Sequence, residues 1–145
     1  ELFRAHAVKK TYWALAQGRF QDKHGVYKWP ILEDGANARI SAQGKPSETR
    51  WSVLASYRHA TELQIDLITG RRNQIRLHFA HAGHPLAGER KYAYGRDSQV
   101  RIKSRRVALH AWHVEFPHPR THANLAIECP LPDDLMELRA HLADA

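Results

Sequence analysis

Thr69-Gly70-Arg71-Arg72-Asn73-Gln74-Ile75-Arg76-Leu77-His78-Phe79-Ala80-His81-Ala82-Gly83-His84-Pro85-Leu86-Ala87-Gly88-Glu89-Arg90-Lys91-Tyr92 is the stretch on which the fold turns. It leaves an alternating, strand-like run through a Gly turn and then reads as a short helix, with Ile75, Phe79 and Ala82 at helical spacing. Gly83 can close that helix in the left-handed conformation, and Pro85 cannot continue it. Arg71, Arg72 and Arg76 crowd its first turns, where exposed N–H groups and the macrodipole already make the potential positive. A helix built for stability alone would carry Asp or Glu there. The arrangement therefore asks for an anion, either a carboxylate from elsewhere in the fold or a phosphate of a ligand.

Working outward, two alternating runs precede the stretch. In Glu48 to Tyr57 the residues Trp51, Val53, Ala55 and Tyr57 share one side; in Glu62 to Ile68 the residues Leu63, Ile65 and Leu67 point inward and Glu62, Gln64 and Asp66 face water. Arg58-His59-Ala60 is short enough for a hairpin, so the two strands are expected to be antiparallel neighbours. Further upstream, Lys9 to Phe20 alternates Thr11, Trp13 and Leu15 with Lys10, Tyr12, Ala14, Ala16 and Gly18. The small residues after Tyr12 either leave room beside its ring or admit a closely packed helix. Residues 21–47, rich in Gly, Pro and charge, predict an excursion with short strands around Val26–Ile31 and Ala38–Ala42, turning at Gly35 and Gly44.

Downstream, Gly95 to Arg106 carries Arg96, Arg101, Lys103, Arg105 and Arg106, a solvated face or a phosphate-contacting one. Val107 to Phe116 and Ala123 to Glu128 predict a strand pair, with Leu125 and Ile127 inward and a turn at Pro117 to Thr121. A last helix is marked by Pro132, Asp133 and Asp134 and carries an apolar stripe of Leu131, Leu135, Leu138 and Leu142. Runs of strand with two helices give an α+β class built on antiparallel sheet.

The 145 residues fit a single domain. With 22 Lys and Arg against 15 Asp and Glu, the net charge is +7 before any of the eleven His is counted, which favours a polyanionic partner, nucleic acid before membrane. No apolar run approaches the ~18 residues of a membrane span, and no secretory leader is visible, so a cytoplasmic protein is expected. One cysteine, Cys129, excludes an internal disulfide and is expected to be a small buried thiol. The chain opens in a helix-like run, Glu1 to Val8, without a starting Met, and a fragment of something longer is expected.

His78, His81 and His84 have helical spacing, but no carboxylate or Cys completes a metal set, so no metal is assigned to them. Neither a serine triad nor a Gly-rich phosphate loop is present. What the residues leave is a nucleotide-holding surface: Tyr12 for ring stacking, Arg76 for phosphate or carboxylate pairing.

Five stretches then come in a telling order: Lys10-Thr11-Tyr12-Trp13-Ala14-Leu15, Gly44 to Arg50, Thr69 to His78, Gly83-His84-Pro85-Leu86 through Tyr92, and Leu109-His110-Ala111. In this the chain resembles the RluA/RluC/RluD family of RNA pseudouridine synthases over nearly its whole length. The resemblance implies a mixed, largely antiparallel sheet flanked by helices, incomplete here, as the C-terminal part of a catalytic domain. It implies an isomerase that converts uridine to pseudouridine in ribosomal or transfer RNA without a cofactor. Carried over, Tyr12 resembles the tyrosine that stacks on the flipped base and Arg76 the arginine that pairs with the catalytic aspartate, with Ile75 and Leu77 as packing residues. Lys10, Arg71, Arg72, Lys103, Arg105 and Arg106 are then the expected RNA contacts. The family's His-Arg-Leu-Asp motif is absent from these residues, so the chain alone is expected to be inactive, with Arg76 unpaired. The alternatives are a non-catalytic RNA-binding module and an interaction domain whose charge is only solvation. The resemblance leaves the oligomeric state open.

Overall fold

The computed structural model describes residues 8–92 and 102–144. The expected helical opening, but for Val8, and the loop residues Arg96 and Arg101 lie outside them.

Strand β1 (Lys9–Gln17) is the axis of the molecule. It pairs antiparallel with β6 (Ala60–Leu67) on one side and β7 (Leu109–Pro117) on the other. Outside β6 lie β5 (Thr49–Ser56) and then β2 (His24–Tyr27); outside β7 lies β8 (Asn124–Glu128). The six-stranded order is β2-β5-β6-β1-β7-β8, and all its pairs among the described residues are antiparallel. The expected hairpin joins β5 to β6. Residues 21–47 hold three short strands rather than one or two, because Pro30 separates β2 from β3 (Ile31–Asp34), which folds back on β4 (Asn37–Ile40) as a separate ribbon. Gly35 turns that ribbon at φ 59°.

Alternation along β1 assigns its two faces. Ala14 and Ala16 pack with Leu63, Ile65 and Trp51 beneath helix α1 (Gln74–His81), which contributes Ile75 and Phe79. Trp13 and Leu15 pack on the other face against helix α2 (Asp133–Ala143), through Leu135 and Leu142. Ala14 and Ala16, the small residues after Tyr12, thus face the α1 side of the sheet, and Phe79 is fully buried there, contributing about 1.5–3 kcal/mol. Gly83 closes α1 with φ 87°, as the sequence predicts.

Several expectations are corrected. Glu62 does not face water: both sheet faces are covered, and its buried carboxylate accepts hydrogen bonds from Trp13 Nε1 (2.9 Å) and the Tyr57 hydroxyl (2.6 Å). Burial and this carboxylate push the Tyr57 phenol up to about 12. Tyr57 joins the α2 side while Trp51 joins the α1 side, because the β5–β6 register slips between Val53 and Ala55. A one-residue slip reverses every later side chain. Leu125 and Ile127 are exposed rather than inward, since β8 is an edge strand with no described element over that face. Cys129, just past β8, is likewise exposed rather than buried.

Candidate active site

After α1 the chain returns to β1 and runs alongside it: the Gln17 N–H donates to Pro85 O (2.8 Å) and the Ala87 N–H to Leu15 O (2.8 Å). Gly88 then turns at φ 83° so close to the backbone that a Cβ would lie 2.4 Å from Arg106 O. Only glycine fits, and the turn drives Glu89 under the helix.

There the Glu89 carboxylate meets Arg76. Arg76 Nε donates to Oε1 at 2.7 Å and Nη2 to Oε2 at 2.8 Å, a bidentate fork. The Glu89 side chain is fully buried and that of Arg76 is 26% exposed. Burial pushes the Glu89 carboxyl up, but the Arg76 hydrogen bonds and charge, with the backbone N–H groups of Tyr92 and Lys91, outweigh it and hold the group below the usual carboxylate range. The Glu89 hydrogen bond in turn raises Arg76. The Tyr92 ring supports the guanidinium, 5.1 Å from centroid to Cζ. Arg76 is therefore not unpaired: its carboxylate lies within the chain. Glu89 is also the one acid in the Thr69–Tyr92 stretch, so the anion that three arginines asked for was already in view.

The turn into α1 is fixed by two further side chains, Gln74, which the sequence reading did not single out, and Asn73. Gln74 is buried, and its Oε1 accepts from Thr69 Oγ1 (2.7 Å) and the Arg71 N–H (3.0 Å), while Nε2 donates to Glu48 O and Thr49 Oγ1 (both 2.9 Å). Asn73 takes the left-handed conformation (φ 53°) that Asn tolerates and donates from Nδ2 to the Tyr92 hydroxyl at 2.9 Å. Helix start, Arg76 and the Glu89 segment are thereby tied into one unit.

Beside this unit is a cavity of about 210 Å³. Leu67, Tyr12 and Leu109 line it from the adjacent strands β6, β1 and β7, and Arg71, Asn73, Gln74, Ile75 and Arg76 line it from the turn and α1. The structure thus brings Tyr12, Arg71 and Arg76 together from distant parts of the chain. Burial raises the Tyr12 phenol above its ordinary value of 10.0, which keeps it uncharged at neutral pH, an apolar ring with a hydroxyl donor. Two of the three Arg76 guanidinium nitrogens belong to Glu89, and among the described residues Nη1 has no hydrogen-bond partner, so it is available to a second anion. Among the described residues no aspartate lines the cavity. Asp66 is on the opposite sheet face, accepting from Thr11 Oγ1 at 3.0 Å.

The other expected contact residues divide. Lys10 Nζ lies beside Gly70, the residue before Arg71 of the lining. Arg71 donates from Nε to Pro46 O (3.0 Å), and the Arg72 backbone N–H donates to Glu33 Oε2 (3.1 Å). Lys103 lines a different cavity with Glu89 and Arg90. Arg105 is exposed and outside the Tyr12 lining. Arg106 is also outside it and is spent on Asp134 at the start of α2, with Nε and Nη2 at 2.9 and 3.1 Å. Two of the three histidines are held structurally: both His78 nitrogens are engaged, Nδ1 with Thr49 Oγ1 and Nε2 with Trp29 O (2.8 Å each), and His84 Nδ1 donates to Gln17 O at 2.9 Å, while His81 is exposed.

Comparison with known proteins gives the family. A family model described as RNA pseudouridylate synthase matches residues 1–81. Ribosomal large subunit pseudouridine synthase C of Pasteurella multocida (strain Pm70) is 36% identical over 151 residues, covering 99% of this chain and 46% of that protein. Ribosomal large subunit pseudouridine synthase D of Nitrosomonas europaea is 40% identical over 142 residues, covering 90% of this chain and 40% of its own length. The chain spans about half the length of the curated relatives it matches. The solved structure of human RNA pseudouridylate synthase domain containing 1 superposes with a TM-score of 0.72 at 26% identity, over 87% of this chain and 56% of that one. Human RNA pseudouridylate synthase domain containing 4 shares the fold, with a TM-score of 0.78 at 23% identity over 97% of this chain and 64% of that one.

Proposed function

The chain belongs to the RNA pseudouridylate synthase family, whose model spans 81 of its 145 residues, and from that premise we propose that it is part of an enzyme isomerising uridine to pseudouridine in RNA, ribosomal RNA first and transfer RNA second. The observation that carries this reading is the cavity that unites Tyr12 with an Arg76 aimed by Glu89. A uridine inside an RNA helix must leave the stack to react, which costs a few kcal/mol that ring stacking and pocket contacts offset. Tyr12 supplies the stacking face at the cavity floor. Arg76 Nη1 is left for a second acceptor, a carboxylate of the enzyme or a phosphate of the RNA. Arg71 in the lining, with Lys10 and Arg72 beside it, holds the RNA backbone, and Lys103 and Arg105, outside that lining, offer it further cations.

Because the sequence has no His-Arg-Leu-Asp motif and no aspartate among the described residues lines the cavity, these 145 residues alone should not turn over. Tritium release from RNA labelled at uracil C5 tests both halves of the proposal. The protein expressed from its complete gene should release tritium, and Tyr12→Ala should abolish it; the 145-residue chain should stay at background. Turnover by the 145-residue chain would show that the nucleophile had been sought in the wrong place. The missing aspartate also supports a second reading, an RNA-binding module without catalysis, which predicts salt-dependent RNA binding and no tritium release from either protein.

A further inference from the structure

At the other end of α1 from the Tyr12 cavity is a larger one, of about 590 Å³, within the size range of ligand sites. Its walls are aromatic and come from separate segments. Phe20 stacks on His84 with centroids 4.2 Å apart and planes at 26°, and Tyr27 stacks on Trp29 at 5.1 Å and 28°. Trp51 stands edge-on to Phe20 at 4.9 Å, and His81 stands edge-on to Trp29 at 4.5 Å.

An aromatic cluster is ordinarily core, and part of this one is. Phe79 behind it is fully buried and Trp51 is 8% exposed. Phe20, Tyr27 and Trp29, however, are only half-buried and present ring surface to the cavity. Trp51 Nε1 is, among the described residues, the buried side-chain polar atom left without a hydrogen-bond partner, a condition native interiors rarely tolerate. Arg19 and His81 bring exposed nitrogen to the lining, and Asp22 brings a carboxylate.

We propose that this cavity is a second nucleotide site, which stacks an unpaired base of the RNA on the Trp29 and Phe20 walls and pairs its phosphate with Arg19. The inference rests on the reading of the protein as RNA-binding. Aromatic faces serve any base, because every base has a π face, and a cation beside them serves the phosphate. Asp22 suits the exocyclic amine of adenine, cytosine or guanine, which uracil lacks. Helix α1, eight residues and so about 12 Å long, has one cavity at each of its ends, a span that a few stacked nucleotides can cover. One strand can therefore place its target uridine against Tyr12 and a neighbouring base here.

A short single-stranded oligoadenylate, which contains no uridine, probes the second site separately. Titrated into the protein, it should quench the intrinsic fluorescence, to which Trp29 and Trp51 contribute. Trp29→Ala and Arg19→Ala should each weaken its binding about tenfold. Arg120→Ala, which removes the same charge from the exposed β7–β8 turn, should not. Arg19 is a surface residue, so that variant remains informative even where Trp29→Ala unfolds the protein, which its circular dichroism reveals. Equal affinity for wild type and Arg19→Ala overturns the inference. So does a wild type that binds uridine-containing RNA but not oligoadenylate, an outcome that leaves the isomerase reading standing and turns the cavity towards a protein partner. Failure to bind any RNA sinks both.

Discussion

The Arg76 guanidinium and the Glu89 carboxylate close a two-point contact, 2.7 and 2.8 Å long, across thirteen residues of chain. Its two ends are unequal: the carboxylate is wholly buried, whereas a quarter of the arginine side chain reaches solvent.

That inequality predicts an asymmetric response. Arg76→Met leaves a carboxylate buried without its cation and should cost about 3 kcal/mol. Glu89→Gln keeps the shape and an acceptor and leaves an arginine that water can reach, so about 1–2 kcal/mol is expected. Urea unfolding of both variants and of the double variant measures this. The double variant should be more stable than the sum of the two single losses implies; strict additivity would show that the pair is not coupled.

The same contact predicts a kinetic signature. If Glu89 aims Arg76, Glu89→Gln should lower kcat for uridine isomerisation several-fold while leaving RNA affinity close to wild type, measured on the protein from its complete gene. Parallel losses in kcat and affinity would instead make Arg76 a phosphate contact.

His78 predicts a pH dependence. Burial lowers it below the ordinary 6.5, against the opposing hydrogen bond to Trp29 O, with the charge of His81 lowering it further. The unfolded chain then binds the proton more readily than the folded one, so stability is full above about pH 6.5 and falls as pH drops from there towards the lowered folded value. His78→Gln should be less stable at neutral pH and should lose less on acidification. Denaturant midpoints of both proteins between pH 7.5 and 5 decide it, and parallel curves would exclude His78 as the origin.

Helix α2 provides the last prediction. Leu135 is 1% exposed against the Trp13 face of the sheet. Leu135→Ala should cost about 3 kcal/mol and perturb the near-ultraviolet signal of the tryptophans. Met136→Ala, on the exposed side of the same helix, should change stability by no more than about 0.5 kcal/mol.

The order of strands and helices was legible because local patterns carry it. Alternation in β1 and β6, the Gly83–Pro85 stop after α1 and the Pro132–Asp134 start of α2 each lie within a few residues and obey backbone sterics or the helix dipole. Where the pattern misled, the cause was distant. The slip in β5 that sends Tyr57 to the α2 face depends on pairing with β6, and the burial of Glu62 depends on a helix seventy residues further on, whose Arg139 comes within 3.5 Å of it. Leu125 and Ile127 alternate like core residues, but alternation cannot say whether a second layer covers them.

By itself, then, the sequence determined that α1 begins with a positive charge needing an anion, that Tyr12 is followed by small residues, and that both belong to a family of RNA-modifying enzymes. Only the tertiary structure decided which anion answers Arg76. Three helix-start arginines fix the sign of the partner through the local dipole, but a carboxylate's identity depends on which chain segment is led past it. Here a glycine turn at Gly88, tight enough to exclude a Cβ, delivers Glu89.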